Sequence, residues 1–145
     1  RMTRFWITLD QAVAFVLSCL ERMDGGELFV PRIPSMRIVD LARAVAPECK
    51  LNYVGIRPGE KLHEVMIPED ESRNCVRFDD SYVILPAHYG VDTNTYRARH
   101  GGTPCPEGFS YSSDRNTHWL STVELRAMVS AMSPDAVREP LRIAA

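Results

Sequence analysis

The sequence predicts an α/β fold of short strands and amphipathic helices. Strand-like runs alternate with segments of helical apolar spacing through the first half of the chain. The strand-like runs are few and short, too few for a complete doubly wound sheet within this chain. From residue 88 to 113 the alternation stops, and Gly, Pro, Thr, Ser and Asn take over.

Each element has its own signal. "RFWIT" (residues 4–8) is β-like, rich in aromatic and β-branched residues. Thr8 and Gln11 have the spacing of a capping box. Beyond them Val13, Val16, Leu17 and Leu20 recur at helical spacing, and Gly25 and Gly26 stop the helix. "ELFVPRI" (27–33) reads as a short buried strand, which Pro31 confines to an edge or an end. Ser35 precedes a second amphipathic segment with Ile38, Leu41, Ala42 and Val45 on one face, closed by Pro47. "CKLNYVGI" (49–56) is predicted as a strand, and Glu60 to Val65 as a short helix. "CVRFDD" and "YVILPA" form a strand pair around Asp79 and Asp80. Ser121 and Glu124 open a last amphipathic helix carrying Leu125, Met128, Val129 and Met132. The division that follows is residues 1–86 as the structured body and 87–113 as a long irregular loop. Residues 114–132 then form a C-terminal helical segment, and 133–145 a frayed, disordered tail.

Bulk properties exclude several classes. The formal net charge of -2 supplies no basic field for nucleic acid. No apolar run is long enough to span a membrane, and no signal peptide is visible. Cys19, Cys49, Cys75 and Cys105 are scattered, as are the four histidines, so no metal-ligand spacing arises. The thiols are expected to be reduced, in a cytoplasmic protein. The first residue is Arg rather than Met, which suggests a piece of something longer, cut on its N-terminal side.

Catalytic equipment is missing. No G-x-G-x-x-G loop, Walker loop or G-x-S-x-G is present, and no tyrosine has a lysine four residues on. What remains is recognition chemistry in "GIRPGEKLHEVMI" (55–67). Pro58 fixes φ and Gly59 tolerates positive φ, so the pair makes a defined turn that aims Arg57. A guanidinium grips phosphate as a two-pronged fork, and Glu60 offers acceptors for a ribose diol. Equally, the stretch can be a solvated turn in which Glu60 and Glu64 pair with Lys61 or Arg57. Arg4, beside Phe5 and Trp6, is a second candidate for phosphate or sugar; Arg32 and Arg37 could add positive potential. His63 reads as structural, and Asp79 and Asp80 as solvated turn acids.

"RFWITLDQAVAFVLSCLERMDGGELFVPRIPSMRIVDLARAVAP" followed by "GIRPGEKLHEVMIPEDESRN" resembles the C-terminal part of the inverting UDP-N-acetylglucosamine 4,6-dehydratases. These belong to the extended short-chain dehydrogenase/reductase superfamily, near the capsular polysaccharide dehydratases. The resemblance is dense over residues 1–86 and resumes at "GFSYSSDRNTHWLSTVELRAMV". It implies that residues 1–86 are the nucleotide-sugar-binding portion of a Rossmann-type enzyme whose N-terminal Rossmann part is absent here. That part would bind NADP and carry the catalytic residues. This chain would then hold no catalytic, cofactor or metal residue and be inactive alone. It would self-associate or fold marginally, because an apolar patch loses its cover. Arg57 and Glu60 match the family's UDP-sugar contacts, with Arg4 as a further one. The full-length enzyme would make a UDP-4-keto-6-deoxy-HexNAc intermediate toward pseudaminic acid and flagellin glycosylation, as a homo-oligomer. Two alternatives stay open: a stand-alone nucleotide-sugar-binding module, or a related UDP-sugar dehydratase or epimerase.

Overall fold

A computed structural model describes residues 1–86 and 92–131. The chain is a mixed α/β structure. Strand β1 (Thr3–Phe5) leads into helix α1 (Leu9–Arg22), then β2 (Leu28–Pro31), β3 (Ser35–Arg37) and α2 (Ile38–Val45). After a segment of turns and irregular backbone come β4 (Val65–Ile67), a 3₁₀ stretch (Glu69–Asn74) and the hairpin β5 (Cys75–Arg77) and β6 (Ser81–Ile84). Helix α3 (Thr93–His100), β7 (Thr103–Pro104), β8 (Tyr111–Ser112) and α4 (Thr122–Ala131) complete the described chain.

The main sheet has the order β2-β6-β5-β7, with every neighbouring pair antiparallel. β2 lies at an edge, where Pro31's missing N–H leaves no ladder bond unmade. Side chains alternate across the sheet. Tyr82, Ile84 and Cys75 join Val30, Ile67 and Tyr111 on one face. Val83, Val76 and Leu85 join Tyr96 of α3 on the other. A separate core joins α2 to α4, where Met36, Ala44 and the fully buried Leu125 meet.

Both capping boxes form. Thr8 accepts from Gln11 N–H while the Gln11 side chain accepts from Thr8 N–H. Ser121 and Glu124 do the same. The apolar residues of α1 keep their helical stripe, but Val13, Val16, Leu17 and Leu20 are exposed, each above 50%. α1 thus presents an exposed apolar stripe.

Three expectations need correction. Residues 49–56 form no strand and join no sheet, with Tyr53 and Val54 exposed at 74% and 77%. Strand-like composition is no substitute for a free edge to pair with, and this segment lies beside α2 instead. Residues 60–65 form no helix, because long-range partners take their backbone groups, as described below. The stretch 87–113 is not one irregular loop, since α3, β7 and β8 lie within it. Asp92 caps α3 by accepting from Thr95 N–H at 2.7 Å, a local signal hidden by a polar composition without apolar period. Residues 87–91 and the tail assigned to 133–145 lie outside the described residues.

α3 is tied to the turn before β2 by Asp24. Its Oδ2 accepts from Arg99 and from His100 Nε2, each at 2.8 Å. The His100 hydrogen bond, and after it Arg99, holds the Asp24 carboxyl below its ordinary value. A carboxyl with a lowered folded pKa contributes its stability in full above the unfolded value, about 4. That contribution is lost as pH falls through the folded pKa. Asp24→Asn should therefore lower Tm at pH 7, with the gap to wild type closing below about pH 4. Thermal melts across that range check it; a gap independent of pH would contradict it.

Candidate functional site

The turn Arg57-Pro58-Gly59-Glu60 closes on itself twice. Glu60 N–H donates to Arg57 C=O at 3.0 Å, and Glu60 Oε2 accepts from Arg57 N–H at 2.9 Å. Proline at the second position and Gly59 at φ +86° at the third give the form of a type II turn. Nothing crowds Gly59, so positive φ rather than space is what demands glycine there. Arg57 and Glu60 are both exposed. Glu60's carboxylate, with about four acceptor positions, keeps capacity for other donors after closing the turn.

The loop that follows is held to β1 by Arg4. Its Nη1 donates to Thr3 C=O at 2.7 Å and its Nη2 to Lys61 C=O at 2.9 Å. Its Nε sits 3.3 Å from the Glu64 carboxylate. Glu64 therefore pairs with Arg4 rather than with Lys61 or Arg57. Leu62 C=O accepts from Thr3 N–H at 3.0 Å. A helix over 60–65 would need Lys61 C=O for Val65 N–H and Glu64 N–H for Glu60 C=O; Arg4 takes the first and Ser113 Oγ the second.

A buried polar chain fixes the far side of the loop. Thr3 Oγ1 bonds to His63 Nδ1 at 2.8 Å and to Ser113 Oγ at 2.6 Å. Ser113 Oγ also accepts from Glu64 N–H at 2.9 Å, while Ser113 N–H donates to Glu64 C=O at 2.8 Å. Thr3 and Ser113 are buried, so each group depends on these partners. His63 is thereby placed in a structural role. No local sequence signal marks Thr3 or Ser113, which are 110 positions apart. Ser113→Ala leaves Glu64 N–H unpaired while Thr3 keeps His63. It should cost about 1–2 kcal/mol in urea unfolding; a neutral result would contradict the network.

The other charged candidates are occupied elsewhere. Arg32 donates to Phe78 and Asp79 carbonyls, both at 2.9 Å, and stacks over Tyr82. Arg37 lies 6.0 Å from the Trp119 ring. Asp80 pairs with Arg22 at 3.3 Å and accepts from Ser81.

Ahead of the turn is a cavity of about 410 Å³. Its walls are Ile38, Val39 and Ala42 of α2 and the run Leu51–Ile56, with Leu62, Arg1 and Met2. Ile56, the last residue of that run, directly precedes Arg57. Among the described residues no cluster of His, Cys, Asp or Glu could hold a metal ion. The β1–α1 connection contains no glycine, and β3 passes into α2 with no intervening residue, so neither junction has the glycine-rich turn on which a dinucleotide's pyrophosphate rests.

The family model described as "Polysaccharide biosynthesis protein" matches residues 1–86. The inverting UDP-N-acetylglucosamine 4,6-dehydratase of Campylobacter jejuni subsp. jejuni is 48% identical over 134 residues. That match covers 90% of this chain but only 40% of the relative. The capsular polysaccharide biosynthesis protein CapD of Staphylococcus aureus is 35% identical over 96 residues, 61% of this chain and 16% of that one. The X-ray structure of Pen from Bacillus thuringiensis superposes with a TM-score of 0.70 at 26% identity, covering 89% of this chain and 37% of that one. The chain thus spans about 40% of the length of the curated dehydratases it matches. On the family match, which takes in β1 to β6 and the Arg57–Glu60 turn together, the chain belongs to the polysaccharide biosynthesis protein family.

Proposed function

We propose that this chain is the substrate-binding portion of an inverting UDP-N-acetylglucosamine 4,6-dehydratase. The observation that carries the proposal is the doubly closed turn, which fixes backbone direction and leaves the Arg57 guanidinium exposed. Arg57 neutralises the diphosphate through its fork, and Glu60 accepts from the uridine ribose. Arg4 acts one step back: with its donors on the Lys61 and Leu62 carbonyls, it positions the loop rather than gripping phosphate. The relatives named as UDP-N-acetylglucosamine 4,6-dehydratase support the choice of sugar nucleotide.

NADP and the catalytic groups belong to a Rossmann domain upstream. The full-length enzyme assembles with copies of itself in the cytoplasm, and the 145-residue chain alone is inert. Among the described residues no helix is long and apolar enough to cross a membrane. The product is a UDP-4-keto-6-deoxy-HexNAc with inverted C5, an intermediate toward pseudaminic acid and flagellin glycosylation.

The test is full-length protein with UDP-N-acetylglucosamine and NADP, read by NMR. A new C6 methyl with inverted C5 is expected. A C4 epimer that keeps its C6 hydroxyl would replace this proposal with an epimerase, a class also represented among the relatives. Product from the isolated chain would overturn its inertness.

A further inference from the structure

Two of the four cysteines, distant in sequence, meet in the fold. Cys75 opens β5, and Cys105 follows β7 directly. The β5–β7 register pairs Val76 with Pro104 and Arg77 with Thr103, so Cys75 and Cys105 stand opposite one another. Cys105 N–H donates to Cys75 C=O at 2.9 Å, the mark of a hydrogen-bonded antiparallel pair. Such pairs hold their Cα atoms about 5.5 Å apart. That spacing lies within the range a disulfide spans. The two sulfurs are already in contact at 3.1 Å.

We propose that Cys75 and Cys105 are a redox pair, a dithiol that a low-molecular-weight disulfide such as oxidised glutathione converts reversibly to an intramolecular disulfide. The two thiols differ in the way such a reaction needs. Cys105 is half-buried and reachable, whereas Cys75 is completely buried. The hydrogen bond with Cys75, helped by nearby Arg77, holds the Cys105 thiol below its ordinary value. The same bond, together with burial, pushes Cys75 up.

Cys105 is therefore the attacking thiolate. Its sulfur bonds to one sulfur of the external disulfide, whose S–S bond breaks and releases one glutathione thiolate. Cys75 then gives up its proton and attacks the Cys105 sulfur, releasing the second. Two protein thiols are oxidised to one disulfide, and one external disulfide is reduced to two thiols. No side chain has to move far, because the sulfurs already touch. The bond would tie β7 to β5 across 30 positions and close a loop that contains β6 and α3. A cross-link of that span restricts the unfolded chain, so oxidation should raise Tm by about 10 °C.

The experiment treats the full-length protein, in native buffer, with oxidised glutathione and maps tryptic peptides without reduction. Asn74–Arg77 should appear joined to His100–Arg115, and dithiothreitol should separate them and return Tm to its starting value. In Cys75→Ser the glutathione should remain on Cys105, since nothing resolves the mixed disulfide. Should that variant not fold, the wild-type map decides alone. Free or separately glutathionylated Cys75 and Cys105, under conditions that fully modify the exposed Cys49, would overturn the proposal. So would a bond that forms only in urea or that joins Cys19 or Cys49.

Discussion

Ile67→Ala should destabilise the chain by about 3–4 kcal/mol. Ile67 ends β4, has no exposed surface and packs in the cluster with Val30, Cys75, Tyr82, Ile84 and Tyr111. Two of those neighbours are aromatic rings already in contact, Tyr82 and Tyr111 at 4.9 Å between centroids. Rings locked against each other cannot collapse into the space that truncation leaves, so the cavity term adds to the lost transfer energy. Against a total stability of about 5–15 kcal/mol this is a large fraction. Ile67→Val removes one methylene and should cost about 1 kcal/mol. Urea unfolding measures both; a loss below 1 kcal/mol for the alanine variant would mean that this cluster is not the anchor of the loop side of the sheet.

Arg57→Ala in the full-length protein should weaken UDP-sugar binding by about 1.5–3 kcal/mol, the worth of hydrogen bonds to a charged group. That is about 10- to 150-fold in Kd. Folding should hardly change, because Arg57 enters the turn through its backbone and its side chain is exposed. Arg57→Lys keeps the charge but not the fork, and should recover only part of the affinity. Titration calorimetry on the three proteins reads the ranking directly. Equal affinities would return the stretch to a solvated turn.

Much of the fold was legible because its signals are local. Thr8 with Gln11, Ser121 with Glu124, and Pro31 each act within a few residues of themselves. The failures have a common origin in distant partners. Leu51–Ile56 has the composition of a strand but gains no sheet edge. Residues 60–65 have helical patterning, yet Arg4 and Ser113 take backbone groups that a helix needs. α3 lies in a polar stretch whose single buried side chain is Tyr96, so no apolar period exposes it.

The site divides in the same way. The turn at Arg57 was readable, since proline and glycine dictate it locally. What supports that turn was not. Arg4 drew attention as a cation, and its geometry gives it a positioning task that only the fold reveals. Thr3 and Ser113 carry no sign of their pairing in the sequence.

The central claim is that the exposed guanidinium of Arg57 holds a diphosphate. Comparing the affinities of UDP and uridine for full-length wild type and for Arg57→Ala tests this most directly. Uridine lacks the phosphates but keeps the base and the ribose that Glu60 would bind. Wild type should favour UDP strongly, and Arg57→Ala should lose most of that preference while uridine affinity stays unchanged. A preference for UDP that survives the substitution intact would contradict the claim.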